Sequence, residues 1–259
     1  MSTGDNSPVE PQGPLGRVGF ESGSDVYERA RPSYPEAAVA HLEDTCAIGR
    51  GSVVLDLAAG TGKLTRQLSA DGARCVAVEP SASMREVFQR MVEGPPVVGG
   101  TAEAIPLADR SVDAVVVAQA FHWFDPPVAL AEIARVLRPG GWLALIWNER
   151  DESDPSVAQL SRISKWDRNQ PYPMGHDFGR SLDESGLFGP VERSGFSFVQ
   201  WLDGDAFVDQ VASRSYVRVL PEDEREALLA QVAAFGATLG DPIPLPYVTD
   251  LFCAQLPPQ

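Results

Sequence analysis

The sequence predicts an α/β fold, a doubly wound and mostly parallel sheet with helices on both faces. Three observations predict it. Short apolar runs alternate with helix-like segments from about residue 35 to residue 148. The run GSVVLDLAA at residues 51–59 has the composition of a strand buried on both faces. A glycine-bearing turn, within LDLAAGTGKLT at residues 55–65, follows that run and leads into a helical pattern.

The elements follow in order. Residues 35–47 place Ala37, Ala38, Val39, Leu42 and Ala47 at helical spacing, with Pro35 at the start where a missing N–H costs nothing. The strand at 51–59 is followed by a helix at 62–71 and a second strand at 73–80, completing a β–loop–α–β unit. A helix at 81–93, a short strand at 95–100, a strand at 111–120, a helix at 126–141 and a strand at 142–148 continue the alternation. Beyond Asn148 the pattern changes. Residues 151–190 are polar and rich in Pro and Gly around one predicted helix, and residues 191–203 read as a strand. Helices are predicted at 205–217 and 221–240, and LPYVTDLFCAQL at 245–256 is a last strand expected to pair antiparallel with the one near Phe196.

The chain of 259 residues, 44% hydrophobic, is long enough for one substantial domain with an added cap and short for two. Its formal charge of −15 opposes a phosphate backbone or an anionic bilayer, so neither nucleic acid nor membrane is an expected partner. No apolar run approaches the roughly 20 residues that span a bilayer, and the first residues lack the basic and apolar regions of a secretory signal. A cytoplasmic protein, monomer or homodimer, is the expectation. Residues 1–18, rich in Pro, Gly and Ser, read as a disordered tail. The three cysteines and three histidines are scattered, without metal-ligand spacing, and no metal is expected.

The glycine turn admits three readings. A phosphate loop, G-x-x-x-x-G-K-[ST], fails because Leu57 stands at its first glycine and Leu64 at its hydroxyl position. A dinucleotide fingerprint, G-x-G-x-x-G, has Gly60 and Gly62 but Thr65 in place of the third glycine. The third reading is an acidic strand end, Asp56, followed by a turn through Ala58, Gly60 and Gly62 that brings bare backbone to a ligand at the sheet's carboxyl edge. Glu79, 19 residues after Gly60, ends the second strand where a carboxylate can accept hydrogen bonds from both hydroxyls of a ribose.

VLDLAAGTGKLT, VAVEPSASM, GTAEAIPL, SVDAVVVAQAFHWFD and IARVLRPGGWLALIWN, in this order and spacing, resemble class I S-adenosylmethionine-dependent methyltransferases of the small-molecule type. The resemblance covers about residues 20–150. It implies a Rossmann-like, seven-stranded sheet with an antiparallel last strand, an α/β/α sandwich plus helical cap. It also implies a single domain over residues 19–259, with 19–150 holding S-adenosyl-L-methionine and 151–259 forming the substrate cap and closing strands.

By position, the resemblance places Gly60 and Gly62 at the cofactor's amino-acid end, with Asp56 and Ala58 contributing. Glu79 would hold the ribose, and Pro80 and Met84 would line the adenine side. Thr101, Ala102 and Glu103 fall at the adenine edge; many relatives carry Asp at the Thr101 position, and the Ala102 N–H would serve here. Gln119 and Ala120 would approach the methionine part. Pro139, Gly140 and Gly141 resemble the turn before the fifth strand. Tyr27, Arg31 and Tyr34 resemble a segment that closes over cofactor and substrate, and Trp123 and Trp147 are candidate walls for the acceptor, as are Phe121, Trp166 and Tyr172. Arg214 and Tyr216 could reach the same pocket from the cap.

His122, in FHWFD just past the fourth strand, is the candidate general base because an imidazole titrates near neutrality. The opposing reading makes it a packed wall residue. The expected function is methyl transfer to a small organic acceptor, with oxygen favoured. Two alternatives stand beside it, an NAD-dependent oxidoreductase and a regulatory protein that holds adenosylmethionine without turnover. The chain has no Tyr-x-x-x-Lys pair to support the first.

Overall fold

In the computed structural model, Val53–Leu57 (β1) is the central strand of the glycine-turn unit. It pairs in parallel with Arg74–Val78 (β2), from Val53 opposite Arg74 to Leu57 opposite Val78, and with Val112–Ala118 (β4) on its other side. The structure describes Glu28, residues 31–166 and residues 177–258, so the predicted tail at 1–18, Tyr27 and Tyr172 lie outside the described residues.

Successive side chains of a strand point to opposite faces, and the burial follows that rule. Leu55, Leu57, Val115 and Val117 pack on one face with Ala129, Leu130 and Ile133 of the helix Pro126–Val136. Val54, Ala114 and Val116 pack on the other, with Leu42 and Val39 of Glu36–Thr45 (α1) and Leu64 and Leu68 of Lys63–Ala70 (α2). Ala82–Met91 (α3) precedes Val97–Val98 (β3), and Pro126–Val136 is α4.

The sheet has seven strands in the order β3-β2-β1-β4-β5-β7-β6, where β5 is Leu137–Arg150, β6 Glu192–Leu202 and β7 Ile243–Gln255. The order reverses between β1 and β4, and such a reversal opens a crevice at the strands' carboxyl ends. As predicted, the last strand runs against its neighbours: Phe196 of β6 faces Thr249, and Trp147 of β5 faces Asp250.

The remaining α-helices among the described residues are Pro155–Ser164 (α5), Gly179–Ser185 (α6), Gly204–Ala212 (α7), Ser215–Arg218 (α8) and Glu222–Gly236 (α9). Val157, Leu160, Phe207, Val211, Val217 and Val232 join Ile243, Leu245 and Tyr247 of β7 in an apolar cluster of their own. Among the described residues, no helix is long and apolar enough to cross a membrane.

Three boundaries differ from the sequence expectation. The helix expected to reach Gly141 ends at Val136, because Leu137 already pairs with Val112 and the register then jumps to Trp142 opposite Ala114. Within that irregularity a Cβ on Gly141 would lie 2.8 Å from the Asp113 carbonyl oxygen, so only glycine fits. The segment 205–217 divides into α7 and α8, with Arg214 between them in extended backbone (φ −73°, ψ 135°). Among the described residues of 151–190, two helices stand where one was expected. The first begins where the Asp154 carboxylate accepts hydrogen bonds from the N–H groups of Ser156 and Val157. The cysteines read as scattered include a buried pair, Cys46 and Cys253, with Sγ atoms 3.6 Å apart.

Candidate active site

β1, β2 and β4 end side by side, and the loops leaving them enclose a cavity of about 310 Å³. That lies at the lower end of the range of ligand pockets, about 300–1,000 Å³. Its wall brings together Ala58, Gly60, Glu79, Pro80, Met84, Thr101, Ala102, Glu103, Gln119, Ala120 and Trp123 from separate stretches of the chain. The backbone at its rim is unusual. Ala58 and Gln119, neither a glycine, both have φ of 59°, a conformation that side chains disfavour and that clusters at functional sites.

Glu79 organises the turn. Its Oε2 accepts a hydrogen bond from the Gly60 N–H at 3.0 Å and its Oε1 accepts from the Ser81 N–H at 2.8 Å. Burial raises the Glu79 pKa, while these two amides and the nearby Arg85 act against the rise. Each carboxylate oxygen has two lone pairs, so both retain acceptor capacity toward the cavity. Arg85 in turn donates to the carbonyl oxygens of Glu79 and Pro80, both at 2.8 Å.

The two glycines of the turn have different surroundings. At Gly60 (φ 57°) the space where a Cβ would stand is open, whereas at Gly62 (φ 82°) it would lie 2.4 Å from Val92 Cγ2 and 2.7 Å from the Phe88 ring. Gly62 therefore sits where the turn packs on α3, and it is not part of the cavity wall. Asp56 is likewise behind the wall, 1% exposed, and its Oδ2 accepts the Thr65 hydroxyl at 2.5 Å, stitching β1 to α2. Burial pushes its pKa up to about 6, against the pull of the Thr65 bonds.

Gln119 donates from Nε2 to the Asn148 carbonyl oxygen at 3.0 Å, and Asn148 donates from Nδ2 to the Ser33 carbonyl oxygen at 3.3 Å. The rim of the cavity is thus tied to the segment before α1. A second tie is Glu28, which sequence reasoning did not single out. It accepts from Arg66 Nη2 at 2.6 Å and from the Thr61 hydroxyl, and its backbone oxygen accepts from Lys63 Nζ at 2.6 Å. Its partners Lys63 and Arg66 flank the turn, but 33 or more residues separate Glu28 from the loop it holds, so no local signal joined them.

Several predicted acceptor residues are placed elsewhere. Trp147 is fully buried, stacked on Phe178 with centroids 3.8 Å apart, and has no surface left to offer as a wall. Tyr34 is 7% exposed and packs with Val39, Leu42 and Leu64 in the core, its backbone clasped by the Gln67 side chain. His122 is half-buried beside the cavity residue Trp123, ring centroids 4.6 Å apart, with Trp147 at 5.5 Å. Among the described residues no cluster of three or more His, Cys, Asp and Glu side chains is placed to hold a metal ion.

Fold and site define a doubly wound α/β protein with a small-ligand cavity at the switch point of its sheet. The methyltransferase domain family matches residues 55–145. The chain is 42% identical over 240 residues to the uncharacterized methyltransferase Mb3374 of Mycobacterium bovis, spanning 90% of this chain and 93% of that one. It is 34% identical over 239 residues to the uncharacterized methyltransferase-like protein C25B8.10 of Schizosaccharomyces pombe, with the same 90% and 93% coverage. In fold it is similar to a Haemonchus contortus phosphoethanolamine N-methyltransferase solved with S-adenosylhomocysteine, at a TM-score of 0.55 and 16% identity, over 95% of this chain and 59% of that one. The chain belongs to the class I S-adenosylmethionine-dependent methyltransferase family.

Proposed function

We propose that the protein transfers a methyl group from S-adenosylmethionine to a small organic acceptor, with oxygen as the favoured atom. The observation that carries this reading is Glu79, a carboxylate in the cavity wall oriented by the N–H groups of Gly60 and Ser81. Its free lone pairs suit the two ribose hydroxyls. In this reading Ala58 and Gly60 present backbone to the amino-acid end, Pro80, Met84, Thr101, Ala102 and Glu103 enclose the adenine, and Gln119 and Ala120 approach the methionine part. Asp56 and Gly62 support the turn from behind.

Adenosylmethionine would supply, when bound, a methyl activated on a sulfonium, with a neutral thioether as the leaving group. The chain's task is then to hold the acceptor in line with that methyl and keep water out, and orientation of this kind contributes on the order of 7–11 kcal/mol in well-aligned systems. In this reading Trp123 and Phe124, in the cavity wall, face the acceptor. His122, beside Trp123, is the candidate to take the acceptor's proton. In this reading residues 151–259 are the substrate cap and closing strands.

Incubation with methyl-labelled adenosylmethionine and fractionated small-molecule extracts tests the reading. Label moving into a low-molecular-weight product supports it. Tight binding of adenosylmethionine with no transfer to any fraction would favour a regulatory binding protein instead.

A further inference from the structure

The cap holds a second group of polar atoms, apart from the cavity at the glycine turn. Arg150 closes β5 directly opposite Tyr247 of β7, and the two are 7% and 2% exposed. Arg150 donates from Nη2 to Gln210 Oε1 at 3.3 Å, and Gln210 is fully buried on α7, four residues before Arg214. Arg214 occupies the extended position between α7 and α8, its guanidinium carbon 4.3 Å from the centroid of the Trp166 ring. The ring of Tyr216 lies 5.9 Å from that of Trp166.

Within this group the Nε of Arg150, the Nε of Arg214 and the Tyr247 hydroxyl are buried and have no hydrogen-bond partner among the described residues. Neither arginine has an ion-pair partner among the described residues. Burial, Arg31 and Arg150 together press the Arg214 pKa well below the ordinary guanidinium range. The nearby acid, Glu149, is itself raised by burial and by Asp250 and Glu152 to about 7, against the pull of Arg214.

Buried cations without counter-charge are costly, and a guanidinium's planar fork suits a two-oxygen anion. The chain carries 36 acidic residues against 21 basic ones, so carboxylates are not scarce in it. Here donors stand together instead: Arg150 and Tyr247 share a register position and Arg214 interacts electrostatically with both, with Trp166 beside Arg214 and Tyr216 beside Trp166. Arg150 is also two residues beyond Asn148, whose carbonyl holds Gln119 at the cavity rim. At the rise of an extended strand that is about 7 Å, a distance a small organic molecule spans.

We infer that Arg150, Arg214 and Tyr247 form an anion-binding subsite for the methyl acceptor, which is therefore a small organic molecule carrying a carboxylate or phosphate. The inference rests on the methyltransferase reading for the word acceptor, and on the cap geometry alone for the word anion. The oxyanion anchors the molecule in the cap, and its methyl-accepting atom points toward Gln119.

Calorimetric titration of the full chain with phenylacetate, phenyl phosphate and the neutral phenylacetamide tests it, with S-adenosylhomocysteine titrated separately. The expected result is that at least one of the two anions binds and the amide does not. Arg214→Gln and Arg150→Gln should each weaken that anion at least tenfold, with Arg214→Lys recovering part of the loss. S-adenosylhomocysteine affinity in the same variants should stay within twofold, which also shows that they fold; should Arg150→Gln fail that check, Arg214→Gln and Arg214→Lys carry the test. Equal binding of the amide, no binding of either anion, or unchanged anion affinity in Arg214→Gln would overturn the inference. Anion binding without any S-adenosylhomocysteine binding would leave the subsite standing and remove the methyltransferase reading.

Discussion

Gly60 and Gly62 are two residues apart and look equivalent in the sequence, yet a methyl group added at each should have opposite consequences. At Gly62 it would collide with Val92 and Phe88 in the core beneath α3. Gly62→Ala is expected to lose about 1–3 kcal/mol through overpacking, read as a lower denaturation midpoint. At Gly60 the methyl enters open space at the cavity wall. Gly60→Ala should cost about 1 kcal/mol of backbone strain while weakening ligand binding more than stability. A Gly60 variant that loses stability but keeps its ligand affinity would contradict this assignment. His122 is tested separately: His122→Gln should lower kcat about 100-fold with acceptor KM unchanged and remove the acid limb of the pH profile. A drop in stability alone would assign the imidazole to packing against Trp123 and Trp147. The glycine turn and Glu79 were legible because strand ends and turns leave strong local marks. That Trp147 and Tyr34 are core was not legible, since an aromatic near a site and one beneath it have the same local sequence.

At the scale of elements, the alternation of strands and helices up to residue 148 was readable because burial on both faces and helical periodicity are properties of short windows. The end of α4 was misplaced because pairing of Leu137 with Val112 depends on a strand 25 residues away in the chain. The same limit hid Glu28, which fastens the segment before α1 to Thr61, Lys63 and Arg66. Glu28→Ala should loosen this clasp, exposing the segment between Arg31 and α1 to a protease of broad specificity such as subtilisin. If the clasp is worth about 1.4 kcal/mol, limited proteolysis there accelerates about tenfold while the sheet stays intact. Cleavage at the wild-type rate would show that other contacts hold the segment. Trp147 and Phe178 make a comparable tie between β5 and the residues just before α6.

For the whole molecule, carboxyls whose pKa folding raises set a pH dependence. Glu43 is raised to about 7 by burial and by Asp71 and Asp44, Glu149 to about 7, and Asp56 to about 6. In each case the folded value exceeds the unfolded one, so the protonated form is favoured by folding. The associated stability is complete below the ordinary carboxylate range and is lost as pH rises through about 6 to 7. The lowered carboxyls of Glu132 and Asp154 act in the reverse sense but lie near the surface. Melting temperature is therefore expected to fall between pH 5 and pH 8, with Glu43→Gln flattening the slope; a flat wild-type profile would refute this. Long-range arrangements such as the Cys46 and Cys253 pair, and the meeting of Arg150 with Gln210, were illegible in the sequence for one physical reason. Each joins residues at least 60 positions apart whose local windows carry no mark of the partner.

The most direct test of the central claim is calorimetric titration with S-adenosylhomocysteine, and separately with NAD, of the wild-type chain and of Glu79→Ala. The account predicts adenosylhomocysteine binding to the wild type, weakened by about 1.5–3 kcal/mol without Glu79, and no response to NAD. Affinity for adenosylhomocysteine that is absent from the folded wild type, or indifferent to the loss of Glu79, would contradict it.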